Sequence, residues 1–245
     1  MPRTLIGLAA VLTAQGCPAA LAADWYTGAA PPADAWIVAV DASATVGSQG
    51  SQFASASLTA APAADLNTSG VRLRVDGLLG SYRAERPGAP RSIGEQADLA
   101  GMIGYALVGD SSVLSGFVGL NVRRDETSHF DPSVSAARTE VGVKTALDFY
   151  ARPTALTMVH ATGSYATTFN AYYGRLRFGF ASFAGGYLGP ELTALGDDNY
   201  RQWRAGAHLS GMQFGALQFG VSAGYVHDHV RKGGVYTTLD LRTGF

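Results

Sequence analysis

The sequence predicts an all-β chain closed into a transmembrane antiparallel outer-membrane β-barrel. Three observations carry that expectation. Much of the chain alternates apolar and polar residues with a period of two, the spacing of a strand with two unlike faces. Only 15% of its 245 residues are charged, against ~25% in ordinary soluble domains. The last stretch, 235–245, sorts cleanly. Thr237, Leu239, Leu241, Thr243 and Phe245 fall on one face, and Tyr236, Thr238, Asp240, Arg242 and Gly244 on the other. The closing strand of a bacterial barrel has this form, with its aromatic in the interfacial girdle; Leu239, Leu241 and Phe245 are its signal. A soluble sandwich ending in a strand is the alternative for this stretch alone.

Residues 1–22 read as an export signal. Arg3 gives the positive start, Leu5 to Leu12 a short apolar run, and Ala20-Leu21-Ala22 a small-x-small cleavage site. No segment reaches the ~20 apolar residues of a spanning helix. Cleavage after Ala22 removes Cys17, the only cysteine, and with it thiol and disulfide chemistry. Gly16-Cys17 would suit lipidation, though Ala14 and Gln15 are poor residues for that processing. Residues 23–35, with Pro31 and Pro32, form a leader, so the barrel is expected over 36–245. A net charge of -1 gives no reason to expect nucleic acid as a partner.

From Trp36 the strands follow in order. Trp36 to Thr45 is the first, and Gly50 to Ala60 a weaker second. Pro62 to Ser69 is a turn. Val71, Leu73, Val75 and Leu79 then oppose Arg72, Arg74, Asp76 and Tyr82. Arg83 to Glu95, with Pro87, Gly88 and Pro90, reads as a loop. Leu99 to Leu107 and Val113 to Val122 form a hairpin around Gly109-Asp110-Ser111. Arg123 to Pro132 reads as a charged loop. Ser133 to Tyr150 is a strand ended by Arg152-Pro153. Thr154 to Thr167 and Phe169 to Phe183 follow, the latter with Leu176, Phe178 and Phe180 opposite Arg175, Arg177 and Gly179. Pro190, within Tyr187 to Ala194, predicts a bulge or local break because it cannot donate to a ladder. After the turn 196–199, Trp203 to Leu209 and Leu217 to Tyr225 each alternate with polar or small residues. His227 to Gly234 is the last loop. The count is about twelve strands, or ten without the weak first two. Aromatics near strand ends (Trp36, Phe149, Tyr150, Tyr172, Tyr173, Tyr187, Tyr200, Trp203, Tyr225, Phe245) match interfacial girdles.

In a barrel the polar faces line the lumen. The expected lining is Arg72, Arg74, Asp76, Tyr82, Tyr173, Arg175, Arg177, Glu191, Arg204, His208, Tyr236, Asp240 and Arg242. These side chains make either a polar path or an ion-pair network that fills a narrow barrel. His208 and Ser210 share a face as a base and nucleophile would, but no Glu follows position 191, so no catalytic residue is assigned. His227-Asp228-His229 and Asp197-Asp198-Asn199 lack metal-site spacing. No metal or cofactor is expected.

The stretches Tyr187-Leu-Gly-Pro-Glu191, Tyr200-Arg-Gln-Trp-Arg-Ala-Gly-Ala-His208, Ser222-Ala-Gly-Tyr225 and Arg231-Lys-Gly-Gly-Val-Tyr236 resemble the cellulose biosynthesis protein BcsS family. The resemblance covers about residues 185–245. It implies an exported outer-membrane protein of alphaproteobacteria that helps make, export or anchor cellulose, with no catalytic residues carried over. The partners it implies are the cellulose chain and cellulose synthase subunits; a barrel adds outer-membrane lipid and the barrel assembly machinery. Three functions compete: a non-catalytic cellulose conduit or accessory, with Tyr82, Tyr173 and Tyr236 as glucan contacts; a small general porin; and a lipid-modifying enzyme using His208 and Ser210.

Overall fold

A computed structural model describes residues 36–84, 92–129, 136–182, 185–198, 200–229 and 232–245. The expected signal and leader, with Cys17, lie outside them. The described residues form twelve antiparallel strands: β1 Val38–Gly47, β2 Gln52–Ala60, β3 Gly70–Ala84, β4 Ser92–Val108, β5 Ser112–His129, β6 Ala136–Thr154, β7 Thr157–Ala166, β8 Ala171–Ala181, β9 Tyr187–Gly196, β10 Arg201–Phe214, β11 Leu217–Asp228 and β12 Lys232–Gly244. Each pairs with the next. β12 pairs back onto β1, with Asp41 opposite Arg242 and Ser43 opposite Asp240, and the sheet closes. Closure leaves no edge strand to template another chain.

The outer wall is apolar. Val71, Leu73 and Val75, Leu176, Phe178 and Phe180, and Leu239 and Leu241 are all exposed on it. The residues between them, Arg72 and Arg74, Arg175 and Arg177, and Asp240 and Arg242, are buried inside. Charge inside and hydrocarbon outside reverse a soluble protein and define an outer-membrane-type barrel.

Several expectations need correction. Of the loops expected at Arg83–Glu95, Arg123–Pro132 and His227–Gly234, nearly all the described residues are strand. β3 reaches Ala84, β4 starts at Ser92, β5 runs to His129, and β12 starts at Lys232. β4, β5 and β6 hold 17, 18 and 19 residues, well beyond the ~9–11 of a tilted crossing. Where a strand stands clear of lipid both faces meet water, so polarity contrast fades while the ladder continues. Arg152-Pro153 does not end β6; the strand reaches Thr154 with a register irregularity after Ala151. At Pro190 the ladder to β8 breaks without a register shift. The bulge sits instead in β10, between Leu209 and Met212, where Gly211 takes a left-handed φ of 81° that glycine adopts without strain. The supposed girdle divides. Tyr172, Trp203, Tyr225 and Phe245 face outward, but Trp36, Tyr150, Tyr187 and Tyr200 are buried.

Both described chain ends lie at one end of the barrel, where Phe245 exchanges backbone hydrogen bonds with Val38. This is the terminal end. At the far end the β7–β8 connection, Thr168–Asn170, turns inward. Phe169 adopts φ 51° and is buried in the mouth. Its N–H donates to Glu140 at 2.8 Å, and the Arg123 guanidinium lies 5.2 Å over its ring.

Candidate functional site

The lumen concentrates the chain's charge and changes character along its axis. The terminal third is closed. Around its wall Leu66, Arg72, Ala106, Val113, Tyr150, Met158, Tyr187, Ser210 and Gln218 are all buried. The β2–β3 turn folds under the mouth: Leu66 N–H donates to the Trp36 carbonyl at 2.8 Å, and Ala61 N–H to that of Ile37 at 2.9 Å. Arg72 fastens this turn from inside by donating to the carbonyls of Leu66, at 3.3 Å, and Thr68. It is therefore a staple rather than a member of an ion network. Arg242 lies 5.7 Å over the Trp36 ring and 3.6 Å from Asp41. A ring of side chains with so little exposure leaves no water column. The purified barrel is therefore expected to show no steady conductance in planar bilayers; a steady open current would show that this plug does not hold.

At the boundary of the plug His208 Nδ1 lies 3.0 Å from Ser210 Oγ. The other ring nitrogen faces the Phe178 carbonyl at 3.2 Å, where a hydrolase would place an acidic or polar side chain. His208 is 1% and Ser210 0% exposed, so the pair is packed into the wall.

Above the plug two ion clusters cross the lumen. In the first, Arg175 Nε and Arg177 Nε donate to Glu191 Oε2 at 2.9 and 2.6 Å, and Arg177 Nη2 donates to Asp240 at 2.6 Å. Arg175 also reaches Asp240, at 2.9 Å, and the Tyr236 hydroxyl donates to Glu191 Oε1 at 3.0 Å. Two guanidiniums and two carboxylates balance, and their planar forks match. In the second, Arg74 pairs with Asp76 at 2.6 Å and with Asp148. Lys144 bridges Asp76 and Asp98 at 3.5 and 3.3 Å. Nearer the far end Arg123 joins Asp125 and Asp197 at 2.7 and 2.5 Å, and Tyr82 stacks on Tyr200 with centroids 5.0 Å apart.

Between these groups lies a cavity of about 240 Å³. On the side of β6, β8, β9 and β12 it is lined by the charged Lys144, Arg175, Glu191 and Asp240. The wall from β1 and β2 carries Ser43, Ser55 and Ser57 beside Asp41, Thr45 and Phe53. Arg204 lines it too, its Nε donating to Gln202 Oε1 at 2.9 Å and its guanidinium 5.4 Å from the Tyr236 ring.

All thirteen side chains expected inside face inward, but they do not form one set. Arg175, Arg177, Glu191, Asp240 and Tyr236 meet in one cluster, and Arg74 and Asp76 in another. Tyr173 and Arg204 border the cavity, Tyr82 sits at the far mouth, and Arg72, Arg242 and His208 belong to the plug. Sequence reasoning missed Arg123, Lys144, Asp98, Asp148 and Asp197. For Lys144 and Asp148 the signal was present, since they alternate with Val143, Thr145 and Leu147. Arg123 was hidden because its outward neighbour Arg124 is charged as well. Asp197 pairs with Arg123 and holds a turn, accepting the Tyr200 N–H at 2.8 Å. His227 stacks on Trp203 at 5.5 Å.

No curated protein matches the chain. Among solved structures, the β domain of the Bordetella autotransporter BrkA is 15% identical over 86% of this chain and 100% of its own, with a TM-score of 0.46. The outer-membrane protease OmpT from Escherichia coli is 10% identical over 86% and 94%, with a TM-score of 0.35. The translocator domain of the autotransporter NalP from Neisseria meningitidis is 12% identical over 85% and 87%, with a TM-score of 0.32. The family model described as cellulose biosynthesis protein BcsS matches residues 46–245, from the end of β1 through β12, and the chain therefore belongs to the BcsS family.

Proposed function

We propose that this barrel sits in the outer membrane, delivered there by the signal at 1–22 and the barrel assembly machinery, and supports cellulose biosynthesis as a non-catalytic accessory. Family membership over 46–245 carries the cellulose reading, and the lipid-facing wall carries the location. Between conduit and accessory, the closed terminal third favours the accessory. A glucan chain cannot pass Trp36, Leu66 and Tyr150 while they fill the lumen. The same closure disfavours a general porin. The burial of His208 and Ser210 supports the non-catalytic reading, because a lipid substrate would have to enter the plug to reach them. Cellulose and the synthase subunits are the partners this reading names.

The test is extracellular cellulose in a clean deletion strain of the host, with and without the gene restored. Cellulose is expected to fall on deletion and recover on complementation. Unchanged cellulose would remove the role and leave only the barrel.

A further inference from the structure

We propose that the cavity above the plug is a binding cup, open to the far end, for the end of a neutral, hydroxyl-rich oligosaccharide. Three observations lead there. Ser43, Ser55 and Ser57 on its wall are partly exposed, so water reaches them. The terminal third is packed, whereas the lining runs on to Arg123, Asp197 and Tyr200 toward the far end, so water reaches them from that side. The cup is therefore blind, suited to holding a ligand end and not to passing it on.

The second observation is Arg204. It is 6% exposed and borders the cavity. Among the described residues its hydrogen bond is Nε to Gln202, and no carboxylate pairs with it. Its two remaining nitrogens can donate toward the cavity. A buried guanidinium with spare donors calls for acceptor oxygens.

The third is the charge of the lining, six carboxylates against five Lys and Arg. Such a wall offers no positive well for an anion. Arg74, Lys144, Arg123 and Arg175 are engaged by acids, and a charged ligand would have to break buried pairs. Hydroxyls satisfy Arg204 and the serines without adding charge. Phe53 and Tyr200, also in the lining, add ring faces of the kind that fix orientation in ligand pockets. The volume is below the ~300–1,000 Å³ of drug-sized sites, which fits a chain terminus rather than a long segment. Taking that saccharide to be a β-linked glucan rests on the cellulose reading; the cup itself does not.

The experiment is calorimetric titration of the full-length folded barrel in detergent with cellohexaose, maltohexaose and a uronate-bearing hexasaccharide. Saturable cellohexaose binding is expected. Ser57→Trp, which fills the cup, should weaken it at least tenfold, and Arg204→Met should weaken it too, with the heat-modifiable gel mobility of folded barrel retained by at least one. Absence of binding by any saccharide, or binding unchanged in both variants, overturns the cup. Preference for the uronate probe overturns its neutral specificity. Maltohexaose in place of cellohexaose keeps the cup and removes the cellulose assignment. A deletion strain without cellulose, beside a purified barrel that binds no sugar, keeps the cellulose role and removes the cup.

Discussion

Replacing Asp240 by Ala lowers the stability of the folded barrel by roughly 3–5 kcal/mol, the cost of stripping one partner from a buried ion pair. Asp240 is 5% and Glu191 2% exposed, so bulk water cannot take over. Without Asp240, Arg175 and Arg177 are left with Glu191 as the carboxylate between them, and a balanced cluster acquires one uncompensated positive charge. Arg177 loses its 2.6 Å contact and Arg175 its contact at 2.9 Å. Because β12 closes on β1, the penalty falls beside the seam that makes the sheet a barrel. Removing a cation and an anion together, as in R177M/D240L, should cost less than D240A, since balanced apolar replacement is often neutral. Urea unfolding in lipid vesicles, followed by tryptophan fluorescence, measures both. A D240A variant within ~0.5 kcal/mol of the parent, the range of an ordinary surface change, would mean that water carries these charges.

Leu176→Arg is expected to be nearly as damaging by an unrelated route. Leu176 lies at the middle of β8 on the outer face and is 47% exposed. On the proposed outer-membrane location that exposure is to hydrocarbon, where an arginine costs about 2–4 kcal/mol, falling to ~0–1 near the interfaces. Tyr172→Arg, toward the far rim of the same strand, is the internal control. Folding yield into vesicles and unfolding midpoints of the two variants should separate. Equal, small losses would mean that β8 faces water, and the soluble sandwich would regain ground. In a soluble fold Leu176→Arg would instead be a solubilising surface change.

The two variants probe faces that sequence alone had already distinguished. Leu176 and Arg175 were assigned to opposite sides by period two, as were Leu241 and Arg242. Alternation is a local property. It needs only a strand and two unlike solvents, and in mid-membrane the two solvents differ as much as they can. That is why the lumen face of β3, β8, β10 and β12 was legible.

The signal failed where the solvents became alike. Arg123, Arg124, Asp125 and Glu126 read as a loop because a strand above the bilayer has water outside as well as inside. It failed again for Tyr150 and Tyr187, since an aromatic near a strand end looks the same whether it turns to the interface or into a plug.

By itself, then, the sequence determined an all-β chain of about twelve strands, their inner and outer faces, and the family resemblance. Tertiary structure alone decided which charges pair, that Arg72 staples a turn, that the terminal third is filled, and that β1 and β2 leave a serine-walled cavity. The physical reason is distance along the chain. Facing solvent is settled within two residues, whereas Arg175 finds Asp240 and Arg74 finds Asp148 across 65 and 74 positions, and only closure of the sheet brings those walls together.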